Sequence, residues 1–497
     1  MLLSDIIAGF QLSAPSANPE ISGLSLNSAR IGPGCLFFAI QGAKTDGHVF
    51  IPDALARGAA AIAATRPPEK EFGAPYLQVA DMPGFMAHCA GTFYKHPSAA
   101  LRLTGITGTN GKTTTSYFFE SICSQAGEKP AAVGTINYRI AGKVISSAPN
   151  TTPVIVELSE LLAKARDAGS GSAVMEVSSQ AIESGRILGL EFDAAVFLNL
   201  SQDHLDHHRT MPAYFAEKKK LFLQLNQSPK QNKIAVLNAD SPESGAIERA
   251  LNRSVRPVWF GLKNGRGYSI AAVKHTLDGS SFQITAPAGK ALSARINLWG
   301  DHNVSNALAA FACAVESGIK PETALAGLAA LPCVPGRMQR IDRGQNFHVF
   351  VDFAHTPDGL EQTLASIARL KTAKVYTVFG CGGDRDRAKR PLMARVVCGR
   401  SDFAFITSDN PRTEPPERIF ADITAGLAES GATDFSVIDD RRRAIAAALA
   451  RARENDIVLI AGKGHEQGQL LADRVLPFCD AAVAREELDK LGGAHAV

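Results

Sequence analysis

The stretch GITGTNGKTTT, residues 105–115, contains the residue types that hold a phosphate. Glycines let a backbone wrap tightly, so that successive N–H groups point at phosphate oxygens where a helix begins. In such a loop Lys112 reaches the β- and γ-phosphates, and the Thr113 hydroxyl binds a metal ion. The glycines fall at 105, 108 and 111, and Ile106 stands where the strict G-x-x-x-x-G-K-S/T spacing needs a glycine. That departure argues against an ordinary P-loop GTPase or kinase. Two later stretches offer metal ligands. MEVSSQ (175–180) ends an apolar run with Glu176, which reads equally as a metal ligand or a capping acid. NLSQDHLDHH (199–208) makes His204 a candidate ligand, with a surface His-rich loop as the alternative. Its spacing is not H-E-x-x-H, so a zinc hydrolase is not indicated.

A third stretch, TSDNPRTEPP (407–416), follows the apolar run DFAFIT. Asp409, Asn410 and Arg412 sit in a loop stiffened by Pro411, Pro415 and Pro416. Proline fixes its own φ and restricts the residue before it. The loop is therefore either a rigid clamp or a plain connection in which Arg412 pairs with Glu414. In EKKKLF (217–222), Leu221 and Phe222 suit a core, and Lys219 and Lys220 read as a solvated helix face.

These residues need elements to position them. The chain has 497 residues, room for three domains of about 150 residues each. It is 45% apolar and 20% charged, which suits a packed globular protein rather than a disordered one. The balance of 52 basic against 49 acidic residues gives no sign of a nucleic-acid or membrane partner. Eight scattered cysteines without a C-x-x-C pair exclude a zinc knuckle or redox motif and fit a reducing cytoplasm. MLLSDIIAGF lacks the basic start of a signal peptide, and no apolar run reaches the roughly 18 residues of a membrane span. Strand and helix patterns alternate, which predicts an α/β fold with mainly parallel sheets. LFFAIQG, IPDALARG and AAIAA read as strand, helix and strand. LRLTGIT, SAVMEV, AAVFLNL and KIAVLNA read as buried strands, followed by an antiparallel stretch over VRPVWFG, GYSIAAVKH and SFQITAP. Breaks near 94–102 and 331–337 precede a second alternation: HVFVDFA, a helix over 358–370, KVYTVFG, SDFAFITSD and DIVLIAGKG. This last part predicts a Rossmann-like domain.

Taken in order, the motifs resemble those of the Mur ligases, the ATP-dependent amide-forming enzymes of peptidoglycan precursor synthesis. They are GTNGKTT, NTTP (150–153), EVSS, DHLD, K-x-x-L-F, N-x-x-N (303–306), PGRM (335–338), DFAHTPD (352–358), GCGGDRD (380–386), DNPR (409–412) and GKGHE (462–466). The resemblance runs from about residue 24 to 470. It implies three domains: 1–98 for a uridine nucleotide, 99–334 as a central P-loop ATPase with a parallel sheet, and 335–497 as a Rossmann-like amino-acid domain.

The implied reaction joins meso-2,6-diaminopimelate to UDP-N-acetylmuramoyl-L-alanyl-D-glutamate at the expense of ATP, through an acyl phosphate. It would serve cell-wall biogenesis, and through it cell shape and division, in the cytoplasm, with a monomeric enzyme expected. ATP would lie against Gly108, Thr109, Asn110, Gly111, Lys112, Thr113 and Thr114, with Asn303 and Asn306 facing the adenine, Arg337 near the γ-phosphate and Asp352 near the ribose. Two Mg²⁺ ions would be held by Thr113 and Glu176, and by His204 and Lys218 carboxylated by carbon dioxide. Ser28, Asn150, Thr151, Thr152, Ser178, Ser184 and Arg186 would hold the muramyl dipeptide. The family's uridine stretch usually reads Asp-Ser-Arg; here it is Asn27-Ser28-Ala29, and Gln180 stands where histidine is common. Arg385, Asp409, Asn410, Pro411, Arg412, Gly462 and Glu466 would hold diaminopimelate. Alternatives are a lysine-adding relative, a folylpolyglutamate synthetase-like ligase, or a nucleotide-gated regulator whose chemistry has decayed. Arg412 argues against the first, the uridine-type N-terminal domain against the second, and intact Lys112, Glu176, His204 and Lys218 against the third.

Overall fold

Parallel strands buried on both faces need continuous apolar runs, and the chain supplies them in three groups that form three sheets. A computed structural model describes all residues except 13–14, 43–44, 69–70, 204, 371–372, 429–430, 432 and 495–497. The first sheet pairs Gly23–Ser25, Cys35–Ala39, Ala59–Ala64 and Tyr76–Gln78 in parallel, with helix Ile51–Ala56 between the second and third strands as the pattern predicts. Helix Met82–Phe93 follows, capped by the Asp81 carboxylate, which accepts the Gly84 N–H at 3.0 Å.

The central sheet has eleven strands. Arg102–Thr107 lies between Ala194–Phe197 and Ser172–Glu176, parallel to both. Ile106 is in register with Glu176, so the phosphate loop and Glu176 leave the sheet side by side. Gly111, at φ 88°, turns the chain into helix Lys112–Gln125. One expectation changes here. Val255–Gly261 is not antiparallel; it extends the parallel sheet beside Lys233–Asn238. Its polar residues alternate with apolar ones because helix Asp301–Glu316 packs on it while part of its other face stays exposed. The antiparallel part is Tyr268–Thr276, Gly279–Thr285 and Ala291–Ile296. At the opposite edge, hairpin Asn137–Ile140 and Lys143–Ser147 turns through Ala141 and Gly142, both at positive φ.

The third sheet runs Gln339–Ile341, His348–Asp352, Ile457–Ala461, Val375–Phe379, Phe403–Ile406, Phe435–Val437. Every pair is parallel except the first. Four loops therefore leave one edge together, those after Asp352, Phe379, Ile406 and Ala461. Open α/β sheets bind ligands at that edge. Beneath it lies a buried ion pair. Arg441 donates through Nε and Nη2 to Asp480 at 2.7 and 2.8 Å, and through Nη2 to the Ala461 carbonyl at 2.9 Å. Both side chains are wholly buried. The pair ties helix Arg441–Arg451 and the last helix to the strand that carries Gly462. Removing one partner of such a pair strands a charge and costs roughly 3–5 kcal/mol. Arg441→Leu is therefore expected to speed hydrogen exchange across Ile457–Ala461; unchanged protection there would show that the pair carries no such load.

Candidate active site

The phosphate loop folds over its own lysine. Lys112 Nζ donates to the Gly108 and Thr109 carbonyls at 2.7 and 2.9 Å. Lys218, buried on helix Met211–Gln227, donates to the same Gly108 carbonyl at 3.0 Å. Its ammonium also stands 4.3 Å from the centre of the Tyr214 ring. Burial, and then the Lys112 cation, push the Lys218 amine well below the ordinary lysine range. A side chain at Gly111 would be strained at φ 88° and would push Asn306 aside, because a Cβ there would lie 2.3 Å from Asn306 Oδ1. Glu176 is buried and accepts Thr113 Oγ1 at 2.9 Å, Thr135 Oγ1 at 2.9 Å and the Thr135 N–H at 2.8 Å. Capping does not describe it: it joins the metal-type hydroxyl of Thr113 to the neighbouring strand exit. His204 lies outside the described residues.

The C-terminal sheet closes the other side. Arg337 Nη2 donates to Thr113 Oγ1 at 3.4 Å, while its Nε is buried without a hydrogen-bond partner among the described residues. Its guanidinium lies 4.5 Å from the centre of the Phe353 ring. Burial lowers its pKa. Asp352 accepts the Met338 N–H at 2.7 Å and the Ala354 N–H at 2.9 Å, so it also fixes the loop that delivers Arg337. A cavity of about 680 Å³ lies between these walls. The phosphate loop from Thr109 to Thr114, Asn303, Asn306, Arg337 and Asp352 line it, as do Asn150, Thr151, Thr152, Ser178 and Arg186. Arg186 is aimed by the Thr152 carbonyl, which accepts its Nη1 at 2.8 Å. Ser184 lines neither this cavity nor the next; it accepts Arg186 Nε at 3.1 Å from behind. Ser28 also lies outside both. It stands on a short turn in the N-terminal domain.

A second cavity, about 420 Å³, continues the first, with Gln180, Asp203, His355, Arg385 and Glu466 bordering both. Arg385, Asp409, Asn410, Arg412, Gly462 and Glu466 are brought together around it. Arg412 takes a left-handed φ of 54°, unusual for a side-chain-bearing residue. Its N–H donates to the Leu470 carbonyl at 3.0 Å and its Nη1 to the Gly383 carbonyl at 2.8 Å. Burial and then the neighbouring Arg385 lower its pKa. Pro411 itself does not face the cavity; its carbonyl rests on Gly383, where a Cβ would come within 1.9 Å. The pairing of Arg412 with Glu414 is overturned. Glu414 instead takes both Nη groups of the buried Arg390, at 2.8 and 2.6 Å, and the Asp384 N–H at 3.1 Å.

One residue buried behind this pocket goes unread in the sequence. Lys463 has a fully buried side chain and donates to Asn410 Oδ1 at 2.9 Å and Glu466 Oε2 at 2.7 Å. The Leu470 N–H also reaches Asn410 Oδ1, and Asn410 Nδ2 donates to Glu466 Oε2 at 2.8 Å. The amide and carboxylate are thus held in one orientation. Its signal was its place between Gly462 and Glu466 at a strand exit. Thr135 and Asp203 are further cavity residues that the motifs alone did not single out.

Fold and cleft together define a P-loop protein whose phosphate loop faces a second α/β domain carrying paired guanidinium groups. The comparisons narrow this. The Mur ligase family, catalytic domain, matches residues 20–94; the Mur ligase middle domain matches 106–314; the Mur ligase, glutamate ligase domain, matches 336–464. The chain belongs to the Mur ligase family. A UDP-N-acetylmuramoyl-L-alanyl-D-glutamate–2,6-diaminopimelate ligase of Geobacillus kaustophilus is 42% identical over 96% of this chain and 96% of its own. The ligase of the same name from Solibacter usitatus is 42% identical over 99% of each chain. A solved structure of such a ligase is 33% identical, with a TM-score of 0.66 over 95% of both chains. A Thermotoga maritima MurF ligase in complex with ADP, 18% identical, shares the fold with a TM-score of 0.65 over 94% of this chain and 96% of that one.

The Arg390 cation holds Glu414 at about 2, against an ordinary value of 4.5. A carboxylate with a depressed folded pKa adds stability above its unfolded pKa and loses it as pH falls toward the folded one. The loop anchor should therefore weaken between pH 4.5 and about 2. Glu414→Gln should flatten that part of the stability profile, measured by denaturant unfolding at a series of pH values. Parallel profiles for the two proteins would contradict the assignment.

Proposed function

We propose that this chain is the ATP-dependent ligase that adds meso-2,6-diaminopimelate to UDP-N-acetylmuramoyl-L-alanyl-D-glutamate. The observation that carries the reading is the pair Arg385 and Arg412 in one cavity with the carboxylate of Glu466. Two guanidiniums facing one cavity, with the Arg385 cation adding to burial in lowering the Arg412 pKa, call for an anion between them. A diamino diacid offers a distal carboxylate for the arginines, and arginine grips carboxylates bidentately. Its distal ammonium suits Glu466. Lysine has only one carboxylate, so it leaves this positive pocket unmatched.

In the reaction, the γ-carboxylate of the substrate's D-glutamate attacks the γ-phosphorus of ATP, ADP leaves and an acyl phosphate forms. The free amine of diaminopimelate attacks the acyl carbon, inorganic phosphate leaves, and the amine proton passes to solvent. Lys112 and Arg337 offset charge on the transferring group, chiefly by being in place beforehand. Thr151, Thr152, Ser178 and Arg186 orient the muramyl dipeptide, with Ser28 toward the uridine. Asn303, Asn306 and Asp352 take the nucleoside.

Magnesium, when bound, neutralises charge on the phosphates. The donor set fits it: Thr113 and Glu176 already share a hydrogen bond at 2.9 Å. Lys218 fits as its carbamate rather than as an ammonium. As an ammonium it shares one carbonyl with Lys112; carboxylated, it becomes an oxygen donor, and its lowered pKa favours the neutral amine that carbon dioxide requires. His204 completes the set. Among the described residues no helix is long and apolar enough to cross a membrane. All eight cysteines are free thiols, which suits a reducing compartment.

Phosphate release from ATP should require both the UDP-muramyl dipeptide and meso-diaminopimelate. Equal stimulation by L-lysine would refute the specificity, and no stimulation by any amino acid would refute the ligase reading. Arg412→Ala should raise the KM for diaminopimelate at least about tenfold, as loss of a charged bond worth roughly 1.5–3 kcal/mol implies. The KM for ATP should barely move, and equal effects on both would point to a general folding defect.

A further inference from the structure

Among the described residues, one group of side chains has metal-ligand chemistry that the ligase reaction leaves unused: Glu183, His207 and His208. Their ligand atoms all lie within 4.8 Å of one another. His207 Nε2 is hydrogen-bonded to Glu183 Oε2, and His208 Nδ1 is 4.0 Å from the same oxygen. His208 is built to stay there. Its side chain is 3% exposed, its ring stacks on Tyr214 with centroids 5.1 Å apart, and its Nε2 is hydrogen-bonded to Ser179 Oγ at 2.8 Å. Fixing one ring nitrogen so that the other faces the ligand position is how metal-binding histidines are usually oriented. Burial lowers the His208 pKa, which keeps its imidazole neutral. Glu217 bears on the same ring and is itself ion-paired with Lys220 at 2.7 Å.

We propose that Glu183, His207 and His208 form a second metal site, separate from the ATP-linked magnesium ions, that takes a borderline transition-metal ion such as Zn²⁺. Two imidazoles and one carboxylate select Zn²⁺, Ni²⁺ or Cu²⁺ over the hard oxygen-loving Mg²⁺. The half-exposed Glu183 and His207 leave the outer side open to water, which completes the coordination. Closing the ligand atoms onto an ion needs a contraction to metal–ligand distances of about 2.0–2.2 Å, within reach of the exposed His207 and Glu183 side chains. Glu183 ends the helix Ser179–Glu183 whose N-cap, Ser178, lines the larger cavity. His207 and His208 end the segment that begins at Gln202 and Asp203, which border the smaller one. An ion at this point would clamp two walls of the cleft together from outside it.

The test is titration of the full-length protein with Zn²⁺ by calorimetry, in buffer saturated with Mg²⁺ so that the nucleotide-linked sites are filled. One equivalent should bind, with anomalous scattering placing it between residues 183 and 207–208. Glu183→Gln and His207→Ala should each weaken binding at least about tenfold, and Ser179→Ala, which frees the His208 ring, should do so by about tenfold. Ligase activity with Mg²⁺ alone should be unchanged in His207→Ala. No Zn²⁺ binding, binding untouched by Glu183→Gln and His207→Ala, or binding lost only with Lys218→Ala would each overturn the proposal. The last result would mean that zinc had displaced magnesium beside the phosphate loop.

Discussion

Two lysines share one carbonyl. Lys112 and Lys218 come from helices far apart in sequence, yet both donate to Gly108. Neither could sit there without the parallel sheet that brings Arg102–Thr107, Ser172–Glu176 and Ala194–Phe197 to one edge. Two cations against one dipole in a buried place form an arrangement under electrostatic strain, which anions relieve. Phosphate would supply one such anion, and the proposed carboxylation of Lys218 would supply another by reversing the sign of a partner. The rest of the site is arranged around that charge. Glu176 stands beside it, Arg337 approaches from the opposite domain, and the glycines keep the backbone thin enough for all of them to meet.

The second cavity follows a related logic with different parts. Arg385 and Arg412 set up positive potential, while Lys463, Asn410 and Glu466 form a hydrogen-bonded triangle beside them. On the proposed reading the arginines would select the substrate, while the triangle holds its acid in place. Neither would keep its shape if Arg412 could relax from its left-handed backbone. The Leu470 and Gly383 carbonyls, and the Arg390–Glu414 pair behind the loop, prevent that relaxation.

Much of this could be read from residue types. The apolar runs located the strands that matter, and GTNGKTT announced its own chemistry because few other uses exist for Gly-Lys-Thr at a strand end. Val255–Gly261 was misread because half-covered parallel strands alternate as antiparallel ones do. Lys463 was hidden for another reason: its partners are 53 residues upstream in Asn410 and 3 residues on in Glu466, and only the sheet joins them. Glu414 pairs with Arg390 rather than Arg412 because the loop turns back at positive φ, a geometry that proline content alone does not specify. Ser28 matches its motif position and Ser184 stands where glutamine is frequent, yet neither lines the cleft.

Asp352 joins pieces that the chain order separates. By sequence, Arg337 belongs to the link leaving the central domain. By its bonds it belongs to the C-terminal sheet, because Asp352 grips the next residue's N–H while anchoring the turn after its own strand. The guanidinium nearest the phosphate loop is therefore cargo of the domain that carries the amino-acid pocket. Any swing of that domain moves both together, so in the proposed reaction electrophile activation and amine delivery would share a single mechanical coordinate.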